Sequence, residues 1–232
     1  SLALQNDGKI VISGYGFGTG VGTGGIGTVR YLPDGTLDST FLVVGISIDN
    51  FSGTHSEAFD VKVQYDEKII VAGKFLTPTN YALGVMRYNS DGTIDNSFGI
   101  NGKYEFTHPD GIFANDLFIL PDHKILVTGT TLLFNNNYIL LLKLNEDGSV
   151  DTSFGTGGMI FTSLSTFDES GPVILVQSDG KIIIGASALS GIGITLSSIC
   201  LFRYNADGTL DTGFGINGIG SVNVNAEEGC NG

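Results

Sequence analysis

The sequence predicts an all-β fold made of four copies of one structural unit, and three observations support this prediction. The composition combines 35 glycines with 5 prolines and no Trp, and it is rich in the β-branched and aromatic residues that favour strands. Runs rich in Ala, Glu and Lys, which would favour helices, are absent. One short motif recurs four times along the chain, which is the pattern of a repeat architecture.

The recurring motif has the form Asp-Gly-x-x-Asp and is followed by a Phe. Its copies begin at Asp34, Asp91, Asp147 and Asp207, and the phenylalanines are Phe41, Phe98, Phe154 and Phe214. A second anchor, a turn of the form Asp-x-Lys, precedes each copy at Lys9, Lys68, Lys124 and Lys181. The period is therefore about 57 residues, and small length differences between copies fall in the loop between the two anchors.

Each unit supplies four short strands. In the second unit, residues 60–64 alternate in polarity as a strand does, and a tight turn leads into an apolar run over residues 68–73. Residues 83–88 and 102–107 complete the set. Apolar runs such as residues 139–142 indicate sheets that are covered on both faces. A four-stranded sheet covered on both faces by copies of itself is a propeller blade, so we expect an all-β fold, a β-propeller of four four-stranded antiparallel blades.

We expect one domain over residues 1–232, with repeats at about 1–59, 60–115, 116–172 and 173–232. A β-sandwich would not need one unit written four times, and a coil of a β-helix is usually much shorter than this period. The ring size stays open. The blades could close on themselves, form half of an eight-bladed ring that a second copy completes, or belong to a larger parent protein.

The repeated pattern also resembles a known family. Residues 4–10 read Leu-Gln-Asn-Asp-Gly-Lys-Ile, and residues 203–218 run from an Arg-Tyr pair through the Asp-Gly motif to Phe-Gly. This pattern resembles the bacterial delta-60 repeat, a family of β-propellers of unknown function, and is distantly similar to NHL-type blades. The resemblance covers all four units and implies a secreted or surface-displayed binding platform. The chain departs from the pattern at Leu42, Glu67, His123 and Leu144.

Charge and cysteine content narrow the possible partners. With 24 acidic and 11 basic residues the net charge is -13, which repels nucleic acid and anionic headgroups. The longest apolar run, residues 138–142, is too short to span a bilayer. Only two cysteines are present, so at most one disulfide can form, and Cys200 lies in an apolar run typical of a small buried residue.

Two groups of carboxylates are candidate metal ligands. Asp207 and Asp211 have the oxygen spacing of a short Ca²⁺ loop, but an Asp-Gly turn that caps itself, with its Asp paired to the nearby Arg, explains the motif more simply. No other cofactor is expected. The second group lies at the links between units and would open onto a central channel. It contains Glu57, Asp60 and Asp116, near His55, His108 and Asp110, and it could bind a divalent ion as in NHL-like propeller lactonases.

Aromatic and amide residues in the variable loops are candidate ligand contacts. They are Tyr15, Phe17, Tyr81, Phe134 and Asn136. Such side chains suit a glycan or a protein ligand. No Ser/His/Asp set or paired Cys and His points to catalysis. We therefore expect a non-catalytic, extracellular or surface-associated binding or display module. The alternatives are a metal-dependent, lactonase-like hydrolase and a structural protein that assembles as a homo-oligomer.

Overall fold

The computed structural model describes residues 1–17, 24–42, 44–131, 138–162, 167–190 and 197–224. All regular secondary structure in these ranges is β. Sixteen strands form four antiparallel sheets, and each sheet is built from four consecutive strands in chain order. We call these sheets blades 1 to 4.

The strands of blade 1 are β1 (Leu2–Leu4), β2 (Ile10–Phe17), β3 (Gly24–Tyr31) and β4 (Ile46–Asp49). The strands of blade 2 are β5 (Thr54–Val63), β6 (Ile69–Leu76), β7 (Tyr81–Tyr88) and β8 (Lys103–Phe106). The strands of blade 3 are β9 (Ile112–Ile119), β10 (Ile125–Thr131), β11 (Ile139–Leu144) and β12 (Met159–Thr162). The strands of blade 4 are β13 (Phe167–Val176), β14 (Ile182–Ser190), β15 (Ser197–Tyr204) and β16 (Ile219–Val224).

The blades pack on one another in chain order. Strand β5 packs on blade 1, β9 packs on blade 2, and β13 packs on blade 3. The first strands of blades 2, 3 and 4 also contact each other in succession, so the blades share an inner edge. The predicted propeller architecture is thereby confirmed. Blades 1 and 4 do not pack on each other within the described ranges, and the arrangement is open.

The core consists of three apolar layers, one between each pair of successive blades. The phenylalanines that follow the Asp-Gly motif lie in these layers, since Phe41, Phe98 and Phe154 are almost completely buried. Burial of one such ring contributes on the order of 2 kcal/mol or more. The fourth ring, Phe214, lies on the last blade and is only half-buried. Cys200 is also buried, in the layer between blades 3 and 4, as the sequence predicts.

The residues that replace a turn glycine keep the glycine conformation. Glu67 and His123 have φ values of +64° and +68°, in the left-handed region that Gly8 occupies at the same place in blade 1. Leu42 has a φ of +53°, equal to that of Gly99 in the next blade. Left-handed backbone costs a non-glycine residue some free energy. Hydrogen bonds from the amides of these residues offset that cost, for the pairs Glu67–Gln64, His123–Leu120 and Leu42–Asp91.

The inner strands begin before the predicted repeat boundaries. Strand β5 begins at Thr54 and β9 at Ile112, although the alternating pattern begins near Asp60 and Asp116. Register shifts explain the difference, because one interrupts the pairing between Ala58 and Asp60 and another lies opposite the Thr128–Gly129 step. A bulge adds a residue to one strand, so the pairing continues while the alternation of the sequence is broken.

Candidate functional site

The two ends of each blade differ in what they present. The Asp-x-Lys and Asp-Gly turns lie at one end, which we call the turn end. The loops between the second and third strands, and the links to the next blade, lie at the other, which we call the loop end. The antiparallel register places them so, since Val63 pairs with Ile69 at the turn end and Thr54 with Leu76 at the loop end.

At the turn end, the carboxylates of the Asp-Gly motif bind the chain itself. The Asp207 carboxylate accepts hydrogen bonds from the amide and hydroxyl of Thr209, at 2.9 and 2.7 Å. The Asp211 carboxylate accepts hydrogen bonds from Lys181 and Arg203, both at 2.8 Å. The predicted capped turn and Arg–Asp pair are confirmed. Calcium binding at Asp207 and Asp211 stays a prediction, and Ca²⁺ would have to replace these donors.

The same cation pairing holds the motif carboxylates in their charged form. The hydrogen bond from Lys124 to Asp151, together with one from Ser153, lowers the pKa of Asp151 to about 2. Partial burial opposes ionisation of Asp95, but hydrogen bonds from Ser97 and the charge of Arg87 outweigh it and lower the pKa of Asp95 to about 2. These carboxylates therefore stay ionised at neutral pH and serve the scaffold.

On the inner strands, two predicted metal ligands lie together around a lysine. The Lys62 ammonium nitrogen is 2.5 Å from the Asp60 carboxylate and 3.6 Å from the Asp116 carboxylate. The Ser1 hydroxyl also donates to Asp60, at 2.7 Å. Burial and the neighbouring Asp60 raise the pKa of Asp116. Burial opposes ionisation of Asp60, but its hydrogen bonds with Asp116, Lys62 and Ser1 outweigh it and lower the pKa of Asp60.

These two carboxylates also join successive inner strands. Asp60 accepts a hydrogen bond from the Leu117 amide of blade 3 at 3.0 Å, and Asp116 accepts one from the Ile174 amide of blade 4 at 2.9 Å. No three His, Cys, Asp or Glu side chains converge as a metal site within the part of the chain that the structure describes. Lys62 already supplies a positive charge between Asp60 and Asp116, where a divalent cation would bind. Metal binding there stays a prediction.

At the loop end of blades 2 and 3, charged and aromatic side chains form a cluster. We define the loop-end cluster as Glu57, Phe59, Lys74, Tyr81 and Phe113. The Lys74 ammonium nitrogen is 3.2 Å from the Glu57 carboxylate, 4.5 Å from the Tyr81 ring centroid and 5.3 Å from the Phe59 ring centroid. An ammonium over an aromatic face is attracted by the ring quadrupole, so the lysine holds the rings and the carboxylate together.

Two contacts between blades 2 and 3 hold the surface around the loop-end cluster in place. The Phe59 and Phe113 rings, one from each blade, lie 5.8 Å apart between centroids. The Asn80 amide donates to the Pro109 carbonyl at 2.6 Å and joins a loop of blade 2 to the link that precedes blade 3. Phe59 keeps 36% of its surface exposed, so an aromatic edge is available to solvent. The arrangement can stack an apolar ligand face and offer hydrogen bonds beside it.

The other predicted ligand residues are spread over the chain. Tyr15 lies on β2 with 43% of its surface exposed, and Phe17 is the last residue of that strand. Phe134 and Asn136 lie outside the described residues. Of the predicted residues, the structure brings Glu57 together with Tyr81, and Asp60 together with Asp116.

Sequence reasoning missed Lys62, Lys74, Phe59 and Phe113. One signal could have found Lys74, because the other repeats have Tyr15, Thr130 and Ser187 at its position, directly after the apolar part of the second strand. A residue type that the other repeats do not have at the same position is not required by the fold that all blades share. Phe59 and Phe113 lie next to bulges, where alignment of the repeats by spacing fails.

Two cavities of similar position lie between successive blades. One, of about 630 Å³, is lined by Lys103, Tyr104 and Glu105 of blade 2 and by Gly148 and Val150 of blade 3. The other, of about 560 Å³, is lined by Met159 and Phe161 of blade 3 and by Gly208 and Thr209 of blade 4. Because the cavity recurs at equivalent places of two blade pairs, it belongs to the packing of successive blades rather than to one specialised site.

The fold and its repeated motif define a β-propeller built from sequence repeats. A family model described as "Domain of unknown function (DUF5122) beta-propeller" matches residues 5–41, 64–98, 120–154 and 177–214. The chain belongs to this family. Each matched segment begins directly after the first strand of a blade and ends at the Phe of the motif.

Comparison with other proteins adds little beyond the fold. No curated protein matches the chain. Among solved structures, the chain is similar to a protein of unknown function from Bacteroides caccae, with 12% identity and a TM-score of 0.38, over 92% of this chain and 98% of that one. Along the described ranges, no helix has the length and apolar character needed to cross a bilayer.

Proposed function

We propose that this propeller is a non-catalytic binding module, displayed outside the cytoplasm, and that it binds a glycan at the loop-end cluster. The observation that carries the proposal is the contact of Lys74 with Glu57, Tyr81 and Phe59 at the loop end of blades 2 and 3. Sugar rings stack their C–H faces on aromatic side chains, and carboxylate and ammonium groups bind their hydroxyls. A net charge of -13 favours a neutral or cationic ligand over an anionic one.

Glycan-array binding followed by titration calorimetry tests the proposal. We expect Tyr81→Ala to weaken binding of the selected glycan at least about tenfold, because the ring and its contact with Lys74 are lost. The matched control is Tyr65→Ala. Tyr65 is 59% exposed on the same blade but lies at the turn end, so its loss should leave the affinity unchanged. A chain that binds no glycan, or equal losses in both variants, would contradict the proposal.

One observation supports the alternative, a metal-dependent hydrolase. Asp60 and Asp116 lie close enough to share the Lys62 ammonium, so two carboxylates already converge on the inner strands. Titration with Ca²⁺, Mg²⁺ and Zn²⁺, together with a lactone-hydrolysis assay, separates the two functions. A binding module shows no metal-dependent turnover. Turnover that requires metal and is lost in Asp116→Asn would replace the proposed function by the hydrolase.

A further inference from the structure

Successive blades are joined by one contact set that occurs three times, which we call the blade junction. The Phe after the Asp-Gly motif packs on the glycine of the next blade's Asp-Gly turn. A Cβ atom added to that glycine would lie 2.9 to 3.0 Å from the ring, for the pairs Phe41–Gly92, Phe98–Gly148 and Phe154–Gly208. The approach is so close that only glycine fits there.

One hydrogen bond accompanies the ring contact at all three junctions, and a second accompanies it at the first two. The amide after each Phe donates to the carbonyl of the first Asp of the next turn, for the pairs Leu42–Asp91 at 2.7 Å, Gly99–Asp147 at 2.7 Å and Gly155–Asp207 at 3.0 Å. The third-strand arginine donates to the carbonyl one residue earlier in that turn, for the pairs Arg30–Ser90 and Arg87–Glu146. The junction therefore has a donating side with the Phe and an accepting side with the Gly.

In the described part of the molecule, one Asp-Gly turn and one motif Phe are left outside the three junctions: the turn at Gly35 and the ring of Phe214. On blade 1, a Cβ atom on Gly35 would meet nothing within 4 Å, although Gly35 has the same place and the same φ sign as Gly92. On blade 4, Phe214 is half-buried while its three counterparts are buried. The Arg203 side chain is 22% exposed, against 5% for Arg30 and Arg87. Among the described residues, no Phe packs on the Asp-Gly turn of blade 1, and no Asp-Gly turn packs on Phe214 of blade 4.

The outer sheet faces of blades 1 and 4, which lie beside Gly35 and Phe214, are apolar and exposed. On blade 1, Leu2 is 66% and Ile12 40% exposed, whereas the residues in their places in blades 2 to 4 are buried: Val61, Leu117, Ile174, Val71, Val127 and Ile184. On blade 4, Ile199 is 54% and Leu201 39% exposed, whereas the residues in their places in blades 1 to 3 are buried: Ile26, Leu83, Ile139, Thr28, Val85 and Leu141. Contiguous apolar surface of this kind marks an interaction site.

We propose that blade 4 of one copy of this chain docks on blade 1 of a second copy through a fourth blade junction. The two vacant faces are complementary because they are the donating and accepting sides of a contact that the molecule makes three times internally. In this junction Phe214 packs on Gly35 of the partner copy, and the Gly215 amide donates to its Asp34 carbonyl. The interface is head-to-tail, so two copies complete a ring if the rotation closes, and otherwise further copies extend the array.

Sedimentation equilibrium over a concentration series tests the proposal. The wild-type chain should self-associate, and more strongly at higher salt because two copies of charge -13 repel each other. Phe214→Ala and Gly35→Asn should each weaken association at least about tenfold. Asn tolerates the left-handed backbone of Gly35, at a φ of +84°, and its side chain points into open space in the single chain, so the fold is kept. The matched control is Gly157→Asn, at a φ of +62° and also in open space.

A mixing experiment tests the head-to-tail geometry. Gly35→Asn keeps the donating side, and Phe214→Ala keeps the accepting side, so an equimolar mixture should recover association that neither variant shows alone. Unfolding midpoints equal to wild type establish that both variants are folded. A wild-type chain that stays monomeric throughout the series would overturn the proposal. Association that persists in Gly35→Asn and Phe214→Ala would also overturn it, since another surface would then be responsible.

Discussion

In blades 2, 3 and 4 two cations converge on the second Asp of the repeated motif, whereas in blade 1 only Arg30 pairs with Asp38 and Lys9 pairs with Asp7. In blade 2, the Asp95 carboxylate lies 2.7 Å from Arg87 Nε and 3.3 Å from Lys68 Nζ, and its other oxygen accepts from the amide and hydroxyl of Ser97. The motif therefore connects the hairpin turn, the third strand and the Asp-Gly turn through one side chain. The pairing with the third-strand cation is the part that all four blades share.

Replacement of this carboxylate should destabilise the protein in a pH-dependent way. We expect Asp95→Asn to lower the free energy of unfolding by about 2 to 4 kcal/mol at pH 7, because Arg87 and Lys68 lose their counter-charge in a largely buried place. Folding lowers the pKa of Asp95 to about 2, from about 4 in the unfolded chain. The stabilisation is therefore complete above about pH 5 and is lost as the pH falls toward 2.

Urea unfolding of both proteins between pH 2 and 7 measures this effect. The difference between wild type and Asp95→Asn should shrink as the pH falls from about 5 to about 2. Asp7→Asn is the control, because the Asp7 side chain is 53% exposed in its pair with Lys9, and solvent screens exposed pairs so that they contribute little to stability. A difference that stays constant with pH would show that the carboxylate charge is not what stabilises the junction of these elements.

For single residues, the sequence predicts side-chain contacts between residues that are close along the chain. Arg87 and Asp95 flank one turn, so their pairing follows from the motif alone. Lys68 reaches the same carboxylate from another turn, and that contact depends on the strand register. Lys74 and Phe59 could not be assigned to one cluster, because a bulge between Ala58 and Asp60 shifts the register by which β5 and β6 present their side chains.

At the scale of elements, the Asp-Gly turn has two separate reasons to contain glycine. Gly92 adopts a φ of +92°, which other L-residues rarely adopt, and its Cα faces the Phe41 ring. The ring cannot move away, because Phe41 is fully buried and the Arg30 guanidinium lies 4.8 Å from its centroid. Gly35 has the same kind of backbone without a ring against it. Substitutions at Gly35 and Gly92 therefore distinguish the free-energy cost of backbone strain from the cost of steric overlap with the ring.

Alanine substitutions at these two glycines should differ in cost. Gly35→Ala adds only the strain of a left-handed alanine, whereas Gly92→Ala adds that strain and an overlap with Phe41. We expect the loss in free energy of unfolding to be about 1 to 3 kcal/mol larger for Gly92→Ala. Denaturant unfolding at pH 7 measures both. Equal losses would mean that Phe41 does not depend on a bare glycine in the next blade.

The elements themselves were largely predictable. Alternation and turn dipeptides identify the strands of blade 2, since the observed β6, β7 and β8 lie close to the predicted residues 68–73, 83–88 and 102–107. Sequence also identifies the buried phenylalanines by their constant distance from the Asp-Gly motif. It does not reveal that Phe214 is half-buried, because the motif of blade 4 reads like the others and burial of the ring depends on a contact with another blade.

At the scale of the whole molecule, the structure is a series of like blades with two unlike ends. Three blade junctions bury their apolar layers, and the outer faces of blades 1 and 4 leave the corresponding residues exposed. Nothing in the repeat sets the number of blades, because each junction needs only its two neighbours. The ring size therefore could not be read from the sequence, whereas the all-β, four-bladed organisation could.

Successive blades are joined by one repeated junction with a donating and an accepting side. Amide hydrogen exchange by NMR in the Gly35→Asn variant tests it most directly, since the amides of Leu42, Gly99 and Gly155 donate across a junction and no backbone bond from Gly215 is present in the described residues. We predict strong protection at Leu42, Gly99 and Gly155, and rapid exchange at Gly215. Protection of Gly215 equal to that of the other three, or rapid exchange at all four, would contradict the account.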